Sequence, residues 1–423
     1  MVNRREFLHT AAGAAAASAF APLAARTGGA NDRVRIGLIG CGIRGNQVMS
    51  AFGKAPDNVF VAACDVSKER LGQTVANMTG LSAADTYEDY RRVLDRKDVD
   101  AVVIATPDHW HSRMLIDACA AGKDVYVEKP LSNAIDPAWK MIEAGRRHNR
   151  VVQVGLQQRS WPHFLEAADL IRGGAIGTVG HVILRYGGGG NPTQDPVAPV
   201  PPGLNWDLFQ GPAPRKPYKV TRERNWRYYW DYGGGLITDW GVHLTDAAAL
   251  VLGTSTTPPK QTSGVGQYVN VQSPDPDRPP NAFIASWQYD GFVMSFTNAV
   301  TGNPDFPTSG NLFVGTKGSL LLNRSGYQIT PSDRPGGGRG RGAIPLEPPI
   351  EGRLVRDQRG PEGRQLDATP LHAANFLACV KSRQRPVADV EVGFYSTLPC
   401  LLAIQAIREG RTVSWTRRTI GTA

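Results

Sequence analysis

The sequence predicts a doubly wound parallel α/β domain over residues 31–155, followed over 156–423 by an α+β domain with a large open, mostly antiparallel sheet. Two observations carry this. Short apolar strands alternate with helical stretches as far as Val154, and after Gly155 that rhythm gives way to hairpin signals. A chain of 423 residues also exceeds what one ordinary core holds.

The alternation begins at residues 34–39, a short apolar run closed by Gly40. Further apolar runs at 59–64, 101–105, 124–127 and 151–154 are expected to be strands. Between them, 45–52, 68–78, 87–94, 111–121 and 137–149 have helical patterning, and this spacing builds a parallel sheet covered on both faces. In the second half, 162–172 is expected to be helical and 181–186 extended, and 187–217 is a Gly/Pro-rich stretch with little periodicity. A helix is expected over 236–252, just after Gly233-Gly234-Gly235. Strands at 282–289 and 292–298 are joined by Asp290-Gly291, a strong hairpin signal. Strands at 312–315 and 319–322 precede a Gly/Arg/Pro-rich loop at 325–365, and helices at 371–381 and 394–409 close the chain.

Residues 1–30 have a different character. Arg4-Arg5 is followed by Phe7-Leu8 and an Ala-rich stretch to Ala25, and this resembles a twin-arginine export signal. It implies a periplasmic or otherwise exported protein that crosses the membrane already folded; the alternative is an Ala-rich helix opening the fold. No apolar run reaches the roughly eighteen residues of a spanning helix, so no membrane association is expected after signal removal. The net charge of +9 keeps acidic partners open. The five cysteines contain no C-x-x-C pair, which excludes a zinc ribbon and argues against a disulfide framework.

Gly40, Gly42 and Gly45 fit G-x-G-x-x-G, enclosing Ile43 and Arg44, at the first strand-to-helix turn. Glycine there lets the backbone turn tightly and approach a pyrophosphate seated on the helix N-terminus. The second strand ends at Asp65, where a carboxylate accepts hydrogen bonds from ribose hydroxyls and repels a 2′-phosphate. NAD is therefore expected over NADP, although Arg70 could soften that preference. The alternative reading of Asp65 is a helix cap before Ser67.

Three further motifs follow in order: Thr106-Pro107-Asp108-His109-Trp110-His111, Glu128-Lys129-Pro130, and Asp239-Trp240-Gly241-Val242-His243 behind the triple glycine. Together with the glycine turn they resemble the Gfo/Idh/MocA family of pyridine-nucleotide oxidoreductases, from Val34 to about Trp415. The resemblance implies a Rossmann domain first and a substrate and oligomerisation domain second, sugar-type substrates, and homodimers or homotetramers. It assigns Lys129, Asp239 and His243 to catalysis. It assigns Gly40, Gly42, Ile43, Arg44, Gly45, Asp65, Thr106, Pro107, His111, Glu128, Lys129 and Gln157 to the cofactor. The residue types suit the chemistry: a neutral imidazole takes a hydroxyl proton, and an ammonium stabilises the developing alkoxide. On one helix Asp239 and His243 would share a face, so the carboxylate could support the imidazole.

Arg159, Trp206, Arg227 and Tyr228 are candidates for substrate contact. Trp206 and the basic-aromatic run 215–232 can equally pack a loop or a subunit interface. The same run could stack nucleic-acid bases, but no nucleic-acid motif accompanies it and none is expected as a partner. His109-x-His111 has a spacing a metal could use, but no third ligand is assignable and no metal is expected. The expected activity is NAD(H)-dependent oxidation or reduction of a carbinol in a sugar, sugar derivative or glycoside. The alternatives are redox-neutral glycoside cleavage, elimination or epimerisation with retained NAD, and a sugar-binding protein without catalysis.

Overall fold

The computed structural model describes residues 33–78, 80–188, 190, 192–299, 309–332 and 367–416, with the backbone of 355–357. The export segment 1–30 lies outside the described residues, as do 333–354 and 358–365 of the expected loop.

The first sheet comprises β1 (Val34–Ile39), β2 (Asn58–Cys64), β3 (Thr86–Tyr87), β4 (Ala101–Ile104), β5 (Asp124–Val127) and β6 (Val152–Val154). All pairings are parallel, in the order β3-β2-β1-β4-β5-β6. Strands β4 and β5 are buried along their whole length, which is why they are uninterrupted apolar runs. The connecting helices are α1 (Ile43–Phe52), α2 (Lys68–Asn77), α3 (Tyr90–Leu94), α4 (Asp108–Ala120) and α5 (Ile135–Arg147). The helix expected from residue 87 starts later. Tyr87 pairs with Cys64 as sheet, and the Asp89 carboxylate caps α3 by accepting from the Arg91 N–H at 3.0 Å. Strand order reverses between β1 and β4, and such a switch point opens a crevice at the carboxyl ends of the strands.

The second domain begins with α6 (Pro162–Arg172), β7 (Val179–Tyr186), α7 (Trp206–Gln210), α8 (Val220–Arg224), α9 (Leu236–Asp239) and α10 (Gly241–Leu252). Its sheet adds β8 (Gln261–Gln267), β9 (Ala282–Gln288), β10 (Val293–Thr297), β11 (Ser309–Gly315), β12 (Gly318–Asn323), β13 (Gly326–Pro331) and β14 (Val355–Asp357). The eight strands run β14-β13-β12-β11-β7-β10-β9-β8, and only β7 and β10 pair in parallel. The Asp290-Gly291 hairpin is present: the Tyr289 N–H donates to the Phe292 carbonyl at 3.0 Å between β9 and β10. Helices α11 (Thr369–Ser382) and α12 (Val390–Glu409) follow. By length and composition α12 could cross a membrane. Here it is a core helix, mostly buried, with its Pro399 carbonyl accepting from the Trp287 indole at 2.8 Å.

Several expectations are corrected. The helix over 236–252 is broken at Trp240, giving α9 and α10. Within the expected loop 325–365, Gly326–Pro331 pairs along β12, burying Tyr327 and Ile329, and Val355–Asp357 pairs with it. Strand β8 gave no signal because it has no apolar alternation; it is held by β9 and by a two-way backbone exchange between Thr262 and Val413. Helix α11 does not close the second domain. Its Ala373, Phe376 and Leu377 join the core of Ile36, Phe52 and Tyr126, with Phe376 5.9 Å from Tyr126 ring to ring. That stripe at i, i+3 and i+4 is α11's apolar face, and the outer side of the first sheet is where it is buried.

Candidate active site

Gly40 leaves β1 at φ +97°, a left-handed conformation that favours glycine, and a Cβ there would lie 2.7 Å from the Ala105 backbone. At Gly45 a Cβ would lie 1.9 Å from the Gly40 carbonyl oxygen, so the first turn of α1 packs directly on the glycine turn. Gly42 meets nothing within 4 Å and opens onto a cleft. No side chain caps α1, so its positive end is available to an anion.

The cleft, about 960 Å³, runs along the carboxyl ends of the parallel strands and under the second domain. Gly40, Gly42, Ile43, Arg44, Asp65, Thr106, Pro107, Glu128 and Lys129 line its first-domain side, and Gln157, Arg227, Asp239 and His243 its second-domain side. Arg44 Nε donates to Glu128 Oε1 at 2.8 Å, tying the glycine turn to the strand end that bears Lys129. At the other end the Asp65 carboxylate accepts from the Cys41 N–H at 2.7 Å and the Ser67 N–H at 2.9 Å, which fixes it beside the glycine turn. Ser67, not Asp65, caps α2, its hydroxyl accepting from the Arg70 N–H at 3.4 Å, and Asp65 faces the cleft.

Lys129 Nζ donates to the Asp239 carbonyl at 2.6 Å and to its carboxylate at 2.7 Å, across 110 residues of sequence. Arg227 Nε reaches the same carboxylate oxygen at 3.2 Å. Burial pushes the Asp239 carboxyl up, but the charges of Lys129 and Arg227 outweigh it and hold the group below the usual carboxylate range. The expectation that Asp239 supports His243 is corrected. Both side chains line the cleft, but the Asp239 carboxylate is engaged by the two cations. His243 Nδ1 is buried without a hydrogen-bond partner. Burial, then repulsion from Lys129, Arg324 and Arg44, push its imidazole well below its ordinary value, so it is neutral at pH 7.

Other assigned residues stand away from the cleft. His111 is fully buried, its two ring nitrogens facing the carbonyls of Pro130 at 2.8 Å and Thr106 at 3.0 Å; it braces the loop that lines the cleft. Gly45 serves the packing of α1. Arg159 is paired with Asp246 at 2.7 Å in the interior. Trp206 stacks on Phe209 at 4.9 Å and bonds the Lys216 carbonyl, so it is core under a loop. Tyr228 packs beside Gly190 and Gly235. Much of the basic-aromatic run is interior too: Arg222 is buried between Asp231 and Asp277, over the Tyr229 ring at 4.3 Å. Among the described residues no group of three or more His, Cys, Asp or Glu side chains is arranged to hold a metal ion.

Several cleft residues gave no functional signal in the sequence. Asp108, Trp110 and Trp240 lie inside quoted motifs without a role, and Arg324 lies between the expected strand 319–322 and the expected loop 325–365, in neither. A strap from the second domain also closes over the Asp65 end. Trp110 Nε1 donates to the Phe209 carbonyl at 3.0 Å, the Asn205 N–H to the Val66 carbonyl at 2.9 Å, and Arg70 pairs with Glu223.

Two family models match the chain: an oxidoreductase family NAD-binding Rossmann fold over residues 34–156, and the C-terminal α/β domain of the same oxidoreductase family over 185–290. Together they span more than half of it. The chain belongs to the Gfo/Idh/MocA oxidoreductase family.

Among curated members, an inositol 2-dehydrogenase of Saccharopolyspora erythraea is 27% identical over 69% of this chain and 73% of its own length. A glycosyl hydrolase family 109 protein of Shewanella pealeana is 29% identical over 37% of this chain and 35% of its own. The chain spans about half the length, or less, of the first curated relatives it matches. A levoglucosan dehydrogenase solved with NADH and levoglucosan shares the fold, with TM-score 0.64 and 19% identity over 90% of this chain and 99% of that one.

The first domain is thus the family's NAD-binding Rossmann domain, and its residues fit the cofactor. A Cβ would obstruct the glycine turn, α1 is uncapped, and Asp65 is held as an acceptor at the end of β2. The carboxylate predicts that NAD binds about 10-fold or more tighter than NADP, since hydrogen bonds to a charged group are gained and a second anion is repelled. Calorimetric titration of cofactor-stripped protein checks this. Tighter NADP binding would overturn the role of Asp65.

Proposed function

We propose that the chain is an exported NAD-dependent oxidoreductase that moves hydride to or from a carbinol carbon of a sugar, sugar derivative or glycoside. The observation that carries this reading is the Lys129–Asp239 pair beside a neutral, buried His243 at the second-domain wall of the cleft. Bound NAD supplies the hydride acceptor or donor. Hydride leaves a carbinol only as its hydroxyl proton leaves, and the His243 imidazole is the acceptor for that proton. The Lys129 ammonium, held by two bonds to Asp239, stabilises charge developing on the same oxygen. Asp239 acts by positioning Lys129. Asp65, Thr106 and the glycine turn bind the dinucleotide at the other end.

The strap over the Asp65 end supports a resident cofactor, and a twin-arginine substrate exported already folded would carry it out. Val265, Ile284, Val293 and Val314 are exposed on one face of the eight-stranded sheet, which supports pairing into homodimers or homotetramers. The enclosed cofactor also favours a second reading, redox-neutral glycoside cleavage in which the hydride returns to the same substrate.

Protein purified from the exported fraction is expected to keep NAD(H) through extensive washing. With an oxidisable sugar alone, reduced-nicotinamide absorbance should rise by at most one equivalent per chain and stop, and a carbonyl acceptor should restart turnover. Steady product release from an aryl glycoside without acceptor favours the redox-neutral reading instead. Exported protein that is empty, and active only with excess added NAD, overturns the resident cofactor.

A further inference from the structure

We infer that the sugar this cleft takes bears a carboxylate, and that Arg324 binds it; the inference rests on the cleft being the substrate site. Arg324 lies in the turn between β12 and β13 and lines the cleft with Trp240 and His243. Its guanidinium carbon lies 4.5 Å over the Trp240 ring, and that ring is 5.8 Å from the His243 imidazole. Arg324 is therefore on the same wall as the proton acceptor and at the opposite end of the cleft from Asp65.

Its charge is unmatched. Among the described residues Arg324 donates no side-chain hydrogen bond and has no carboxylate in ion-pair range, and its Nε is buried without a partner. The neighbouring cations are all paired: Arg44 with Glu128 at 2.8 Å, Lys129 with Asp239 at 2.7 Å, and Arg227 with Asp239 at 3.2 Å. Asp239 already serves two cations, and Asp367, whose charge also reaches Arg324, forms no ion pair with it and accepts instead from the Thr369 N–H at 2.9 Å and hydroxyl at 2.7 Å.

A half-buried guanidinium without acceptors is costly, because its desolvated donors have nothing in place of water. Ligand anion at that position removes the cost, whereas a hydroxyl recovers only part of it. The guanidinium carbon sits 4.5 Å over the Trp240 ring, and no side-chain donor of Arg324 bonds another described residue, so a planar two-oxygen acceptor could be taken there. One unmatched cation suits a singly charged carboxylate. A phosphate ester would bring close to a second charge that has no partner here.

The test uses the full NAD-loaded protein and calorimetric Kd values for D-glucuronate against D-glucose and D-galacturonate against D-galactose, with D-glucose 6-phosphate as the phosphate arm. The wild type should prefer at least one acid over its neutral sugar by about 10- to 100-fold, the range for hydrogen bonds to a charged group. That ratio should fall to parity in both Arg324→Leu and Arg324→Gln. Equal or tighter binding of both neutral sugars by the wild type overturns the inference. So does a preference that survives both variants, or a sugar phosphate that outcompetes both acids. Oxidation is read separately from nicotinamide absorbance. Selective binding of an acid without oxidation of any sugar would sink the oxidoreductase reading and leave the carboxylate site standing. Oxidation of neutral sugars with no preference for acids would do the reverse.

Discussion

Lys129→Met is expected to lower kcat by about 10³-fold while leaving folding and NAD affinity near wild type, because in the proposed mechanism it removes the ammonium that stabilises alkoxide and little else. Asp239 is not orphaned by the change, since Arg227 still reaches its carboxylate at 3.2 Å. The groups facing the dinucleotide, Asp65 and the glycine turn, belong to other strands and do not touch Lys129. The variant should therefore retain its cofactor and its melting temperature within a few degrees, and lose turnover. Single-turnover absorbance on an oxidised substrate, beside a thermal melt, separates these quantities. Near-native rates would remove Lys129 from the chemistry. A loss of NAD binding equal to the loss of rate would make it a cofactor residue instead.

His243→Ala is expected to cut kcat/KM by about 10²- to 10⁴-fold, the range for losing a positioned general base. The pH dependence has a definite sign. The folded-state imidazole titrates well below 6.5, held there first by burial and then by Lys129, Arg324 and Arg44. It is therefore already neutral at pH 6.5 and above, and any acid limb it contributes to kcat/KM must lie well below pH 6.5. The linkage to stability follows the same direction. A depressed histidine stabilises the fold above its unfolded value near 6.5, and that contribution is lost as pH falls toward the folded value. On acidification from pH 7 to 5, the wild type should thus lose more stability than His243→Ala does. An acid limb at or above pH 6.5 that vanishes in the variant would contradict a neutral, buried base.

Much of the molecule was legible without coordinates. Strands β1, β2, β4, β5 and β6 are nearly continuous apolar runs because helices cover both faces of their sheet, and burial writes itself directly into composition. The hairpin at Asp290-Gly291 and the glycine turn were equally readable, since a backbone that must turn tightly admits few residue types. Local conformation constrains local sequence, and here the two agree.

The site's wiring was not legible, because a side chain's partner depends on which distant groups the fold brings within a few ångströms. Asp239 and His243 are four residues apart and were expected to act together, yet the carboxylate is engaged by Arg227 and by Lys129, 110 residues earlier. Arg159, His111 and Trp206 are polar or amphipathic residues of the kind that suits a binding site, and each proves to have its donors engaged in the interior. The apolar stripe of α11 was visible, but not that it faces the first sheet. What the sequence by itself determined was the doubly wound domain, the antiparallel sheet and the motifs that name the family. Only the tertiary structure decided which charges pair across the cleft and that Arg324 has no ion-pair partner among the described residues, because pairing is a property of distance in space and periodicity along a chain carries none of it.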